Sequence, residues 1–85
     1  MNIGKAIRYY RKKRGFTQRE LAQKFNMSSC HLSVLENGNR TPNLSYLYFL
    51  AEILNVNIIH ILLRSFDEDE LEIAKKYFDK IQNND

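Results

Sequence analysis

Eighty-five residues, 44% hydrophobic and 27% charged, describe one small globular domain that is too short to build a deep enzyme cleft. One cysteine excludes an internal disulfide, and the longest apolar run, residues 58–63, is far too short to span a bilayer. The net charge of +3 conceals an asymmetry: residues 1–25 carry eight Lys/Arg against one acid, whereas residues 65–85 carry three Lys against seven acids.

A basic front end and an acidic tail point to a polyanion partner for one face only. With no disulfide to form and no apolar core of signal-peptide length near the start, a cytoplasmic location is expected. Three glycines and one proline lean the chain towards helix.

Ile3, Ile7 and Tyr10 recur at helical spacing, with Lys5, Arg8, Arg11 and Lys12 on other faces, and predict a first helix that Gly15 terminates. Five later helix starts share one signature: an apolar or proline residue, then a short polar residue, then an apolar residue four positions on. They are Phe16-Thr17…Leu21, Met27-Ser28…Leu32, Pro42-Asn43…Leu47, Val56-Asn57…Ile61 and Phe66-Asp67…Leu71. The polar residue accepts from the unpaired amides of the first turn, and the apolar pair staples the entry angle. Thr17 with Glu20, and Asp67 with Glu70, complete capping boxes. Six helices follow, at about residues 2–13, 18–25, 29–36, 44–54, 58–64 and 68–82.

The second and third predicted helices are joined by Asn26, Met27 and Ser28 alone, with Leu21, Ala22 and Phe25 facing Leu32 and Leu35. Two short amphipathic helices on a tight turn form a helix-turn-helix pair, in which Ala22 permits close approach. The last helix places Leu71, Ala74, Phe78 and Ile81 at 3, 4, 3 spacing, with Ile73 and Tyr77 on the adjoining edge. That seam either folds back on the core or packs against a second subunit. A dimerisation element of Leu71, Ala74, Tyr77, Phe78 and Ile81 is the expectation.

TQRELAQKFNMSSCHLSVLENGNRTPNLSYLYFLAEILNV, residues 17–56, resembles the DNA-binding domain of the Cro and phage-repressor type, the Xre family. The match rests on Thr17-Gln18, Glu20-Leu21-Ala22, Met27-Ser28, Leu32-Ser33, Leu35-Glu36-Asn37-Gly38, Arg40-Thr41-Pro42, Leu47, Leu50-Ala51 and Leu54-Asn55-Val56, and extends over about residues 3–64. The resemblance implies an all-α, five-helix domain over 1–65; the sixth helix, in 66–85, lies outside the match and is appended to it. It also implies a homodimeric transcriptional regulator, a repressor by expectation, reading a palindromic double-stranded operator through the third helix.

By the same resemblance Ser28 caps the third helix, and Ser29, Cys30 and Ser33 meet base edges with Val34 at the groove margin. Gln18 holds a phosphate and braces the recognition helix, while Asn37, Asn39 and Arg40 grip the backbone. Glu36 pairs with an arginine of the first helix, Arg11 by position. Arg11 and Lys12 are also placed among the phosphate contacts, as is His31. Many relatives carry Gln or Arg at the base-reading positions, where one bidentate contact gives about 1–3 kcal/mol of discrimination. Serine and cysteine lack that reach, so closer docking and DNA shape are expected to carry part of the specificity.

Other chemistries fit less well. Cys30 and His31 lie about 100° apart on a helix, with no third group to complete a nucleophile. One Cys and two His fall short of a four-ligand zinc site. No enzyme, metal or cofactor is expected, and an exposed Cys30 leaves redox sensing as a side possibility. His60 is expected to be an N-terminal-turn or partly buried packing histidine, and the tyrosines Tyr9, Tyr10, Tyr46 and Tyr48 are expected to pack in the core and at the groove edge rather than to stack on bases. The competing class is a protein-interaction module, an antitoxin or an antagonist of another regulator, acting through the last helix.

Overall fold

The computed structural model describes residues 1–83, so the last two residues of the expected C-terminal segment lie outside it. Six helices follow in order: α1 (Ile3–Lys13), α2 (Gln18–Lys24), α3 (Ser29–Glu36), α4 (Leu44–Ile53), α5 (Ile58–Ser65) and α6 (Glu68–Asn83). No strand occurs among the described residues.

The starts are set by the expected caps. Side-chain oxygens of Thr17, Ser28, Asn43 and Asn57 accept from amides of Glu20, His31, Tyr46 and Ile59. Both capping boxes close, Thr17 with Glu20 at 3.0 and 3.1 Å and Asp67 with Glu70 at 2.8 and 3.2 Å. Asn2 caps α1 through Lys5, a start that the five-fold signature did not include.

Four helices stop in one way. Gly15 and Gly38 take φ +80 and +78, and Asn26 and Asn55 take φ 56 and 54. In each case the next amide reaches back five residues: Phe16 to Arg11, Met27 to Ala22, Asn39 to Val34 and Val56 to Ala51. This is the left-handed stop that glycine favours and that asparagine, among other residues, tolerates best.

The core gathers one stripe from each of the first five helices: Ala6 and Ile7, Leu21 and Ala22, Leu32, Leu47 with Leu50, Ala51 and Leu54, and Ile61. α1 packs on α5 and α3, α2 on α3, and α4 on α5. Gly4 lets α1 meet the end of α3: a Cβ there would lie 2.1 Å from the carbonyl oxygen of Leu35 and 2.8 Å from that of Glu36.

The sixth helix stands apart. Its 16 residues make a helix about 24 Å long, in a molecule that measures 44 × 22 × 22 Å. Its root is tied down by the Met1 amine, 2.6 Å from Glu70 Oε1, and that carboxylate raises the amine's pKa. Leu71 and Ala74 are half-buried, but Tyr77, Phe78 and Ile81 are 64%, 60% and 68% exposed. The root of the seam thus sits against the body, whereas its outer part, Tyr77, Phe78 and Ile81, is left uncovered. No single helix is long and apolar enough to cross a membrane among the described residues.

Candidate nucleic-acid interface

The turn between α2 and α3 is built from Phe25, Asn26, Met27 and Ser28. Asn26 reverses the chain with its left-handed backbone, and Phe25 and Met27 pack on the core beneath it. Ala22, 1% exposed, lies in that core with Leu32. α3 thus leaves the turn with Leu32 and Leu35 inward and its other face open.

On the open face, Ser29, Cys30 and His31 are exposed, Val34 is 37% exposed and Ser33 is half-buried. The four residues expected to face bases share this side. Asn37, Asn39 and Arg40 are exposed on the loop that follows, where Asn37 Nδ2 donates to Ser33 Oγ at 3.5 Å. That loop lies beside the start of α1, with Gly38 near Asn2.

The Glu36 side chain is fully buried at the end of α3 and collects four nitrogens. Arg11 Nε donates to Oε2 at 2.6 Å and Nη2 to Oε1 at 3.0 Å. Gln18 Nε2 donates to Oε1 at 3.1 Å, and Arg8 Nε lies 3.5 Å from the same oxygen. The expected Glu36–Arg11 pair is present, and Gln18 braces α3 through Glu36.

The placement of Arg11 among the phosphate contacts is corrected by the same geometry. Arg11 is 6% exposed, and its third nitrogen, Nη1, donates to the Phe16 carbonyl at 2.8 Å. All three guanidinium nitrogens are engaged inside the domain, so none is turned to a phosphate. The basic run 11–14 divides in this respect, with its two end arginines engaged and the two lysines between them open. Arg14 holds the carbonyls of Leu54 and Asn55 at 2.8 and 2.9 Å, whereas Lys12 and Lys13 are exposed without ion pairs among the described residues. Arg8 was not singled out as a site residue, although its i, i+3 spacing from Arg11 placed both on one flank of α1.

The aromatic residues divide. Tyr10 is half-buried with Tyr9 edge-on at 5.0 Å, and Tyr46 rests on Phe25 at 5.2 Å. Tyr48 is exposed, and Tyr9 is covered by the Arg64 guanidinium at 3.5 Å. His60 is exposed in the first turn of α5, one of the two placements expected for it, and lines a shallow hollow with Tyr10, Arg64 and Phe66. No group of three or more metal-ligating side chains occurs among the described residues.

Comparison with known proteins places these features. A helix-turn-helix family model matches residues 7–61. The chain is 38% identical over 69 residues to a competence pilus inhibition repressor of Acinetobacter baylyi, covering 81% of this chain and 63% of the relative. It is 35% identical over 71 residues to the HTH-type transcriptional regulator SinR of Bacillus licheniformis, covering 82% and 63%. It is 37% identical over 65 residues to an uncharacterised HTH-type transcriptional regulator of Archaeoglobus fulgidus, covering 76% and 90%. The chain thus spans a little under two thirds of the first two relatives. No solved structure matches it significantly. A capped α3 presented on α2, with Gln18 and Glu36 bracing it and a family match across the body, makes this chain a member of the helix-turn-helix family of the Cro and phage-repressor type.

Proposed function

We propose that the protein is a repressor that binds a palindromic operator as a homodimer, with one α3 in each of two successive major grooves about 34 Å apart. The observation that carries this reading is the open face of α3: Ser29, Cys30, Ser33 and Val34 lie together on a helix whose other side is locked into the core. Ser29, Cys30 and Ser33 read base edges at short range, with Val34 and His31 at the margin. Gln18, Lys12, Asn37, Asn39 and Arg40 hold phosphates and set the register. The name of the A. baylyi relative, a repressor, supports the sign of regulation.

The homodimer is carried by α6. Its open seam of Tyr77, Phe78 and Ile81, with Leu71 and Ala74 at the root, is of the kind that a second subunit covers. The same exposure supports a second reading, in which α6 binds a different protein and the chain acts as an antitoxin or antagonist.

Selection of bound sequences from a random duplex pool at two salt concentrations tests the reading. An enriched palindrome with half-sites one helical turn apart is expected. Salt-sensitive binding without enrichment would refute the operator reading. A Phe78→Glu chain that remains dimeric would remove α6 from the interface.

A further inference from the structure

Arg8 and Gln18 come from different helices and meet at one atom. Arg8 Nε lies 3.5 Å, and Gln18 Nε2 3.1 Å, from Glu36 Oε1. A carboxylate only accepts, so the Gln18 amide must turn its nitrogen inward, and the second N–H of that nitrogen remains available. Arg11 uses all three of its nitrogens inside the domain. The cluster of Arg8, Arg11 and Glu36 carries one net positive charge, and the charge not closely paired is that of Arg8. Its side chain is 46% exposed and makes no hydrogen bond to Glu36, whose side chain is fully buried.

We propose that Arg8 and Gln18 form a two-donor clasp for a single DNA backbone phosphate, with buried Glu36 as its floor. The anionic floor holds the two donors side by side before the ligand arrives. It also keeps Arg8 from collapsing onto other surface, so little side-chain ordering remains to be done on binding. A phosphodiester presents two unesterified oxygens, one for the guanidinium and one for the amide. This adds Arg8 to the interface in the place from which Arg11 was removed, and it rests on the DNA-binding reading of the family.

The two donors have separable signatures. Neutralising a phosphate with a cation releases condensed counterions, whereas a neutral amide releases none. Replacing Arg8 by Ala should make the slope of log K against log salt shallower by about 0.9 and weaken binding about eightfold at 0.1 M salt. Gln18→Ala should weaken binding and leave the slope unchanged. The double replacement should lose less than the product of the two, because both donors hold one phosphate. Arg8→Lys should restore the slope. Thermal melts of each variant check that the fold is intact.

A slope unchanged in Arg8→Ala, or losses that multiply independently, would overturn the clasp. Wild-type protein that bound no duplex at low salt would overturn the DNA-binding reading itself, and the clasp would fall with it.

Discussion

Replacing Gly4 by alanine adds one methyl group at the point where α1 crosses the end of α3. The new Cβ would sit 2.1 Å from the Leu35 carbonyl oxygen, 2.8 Å from that of Glu36 and 3.0 Å from the Glu36 carbonyl carbon. An ordinary carbon–oxygen contact is about 3.3 Å, so the helices must part by about 1 Å. Both nearest atoms are backbone and cannot rotate aside. Overpacking costs about 1–3 kcal/mol, and this contact belongs at the upper end of that range. Alanine recovers about 1 kcal/mol of helix propensity over glycine. The repulsion wins, and the net loss is about 2 kcal/mol. For a domain of this size that lowers Tm by about 8–16 °C, read by circular dichroism at 222 nm. Duplex binding at a temperature where both proteins are folded should fall as well, because the displaced segment carries Glu36 and the end of the recognition helix. A Gly4→Ala protein that melts at or above the wild-type temperature would refute the reasoning, since propensity alone would then be deciding.

Ala22→Phe forces a large ring into a position that is 1% exposed beneath α3, and the domain should unfold or lose duplex binding; a folded, fully active variant would argue against the helix pairing. The capping box makes a pH prediction. The Thr17 amide, and then its hydroxyl, hold the Glu20 carboxylate below the usual glutamate range. A group with a lowered folded pKa contributes stability above its unfolded pKa and loses it as pH falls through the folded one. The acid limb of a Tm–pH curve should therefore be flatter in Glu20→Gln than in wild type, and equal slopes would show that the box contributes nothing.

Helix ends and the internal periodicity of each helix were legible along the chain because their causes are local. A cap such as Thr17 or Ser28 meets an amide three residues on, and a stop such as Gly15 or Gly38 depends on its own φ. Asn26 and Asn55 carried the same stop signal in a residue that tolerates left-handed backbone, and it could have been read. The face of α3 was legible for the same reason, since Leu32 and Leu35 leave Ser29, Cys30 and Ser33 on the other side.

What could not be read depends on where separate helices meet. Arg11 and Arg8 look alike on one flank of α1, yet one is enclosed with Glu36 and the other half-open beside Gln18. Gly4 looks like a weak helix residue until α3 is placed against it. The apolar seam of α6 is compatible with a fold-back and with an outward face, and the structure leaves its outer residues Tyr77, Phe78 and Ile81 exposed. Periodicity states that a face is apolar, but which surface covers it depends on contacts between residues far apart in the chain. Sequence by itself determined the six helices, the caps of the last five and the open face of α3, whereas tertiary packing decided which arginine is structural, which glycine is tightly enclosed and which apolar face remains open.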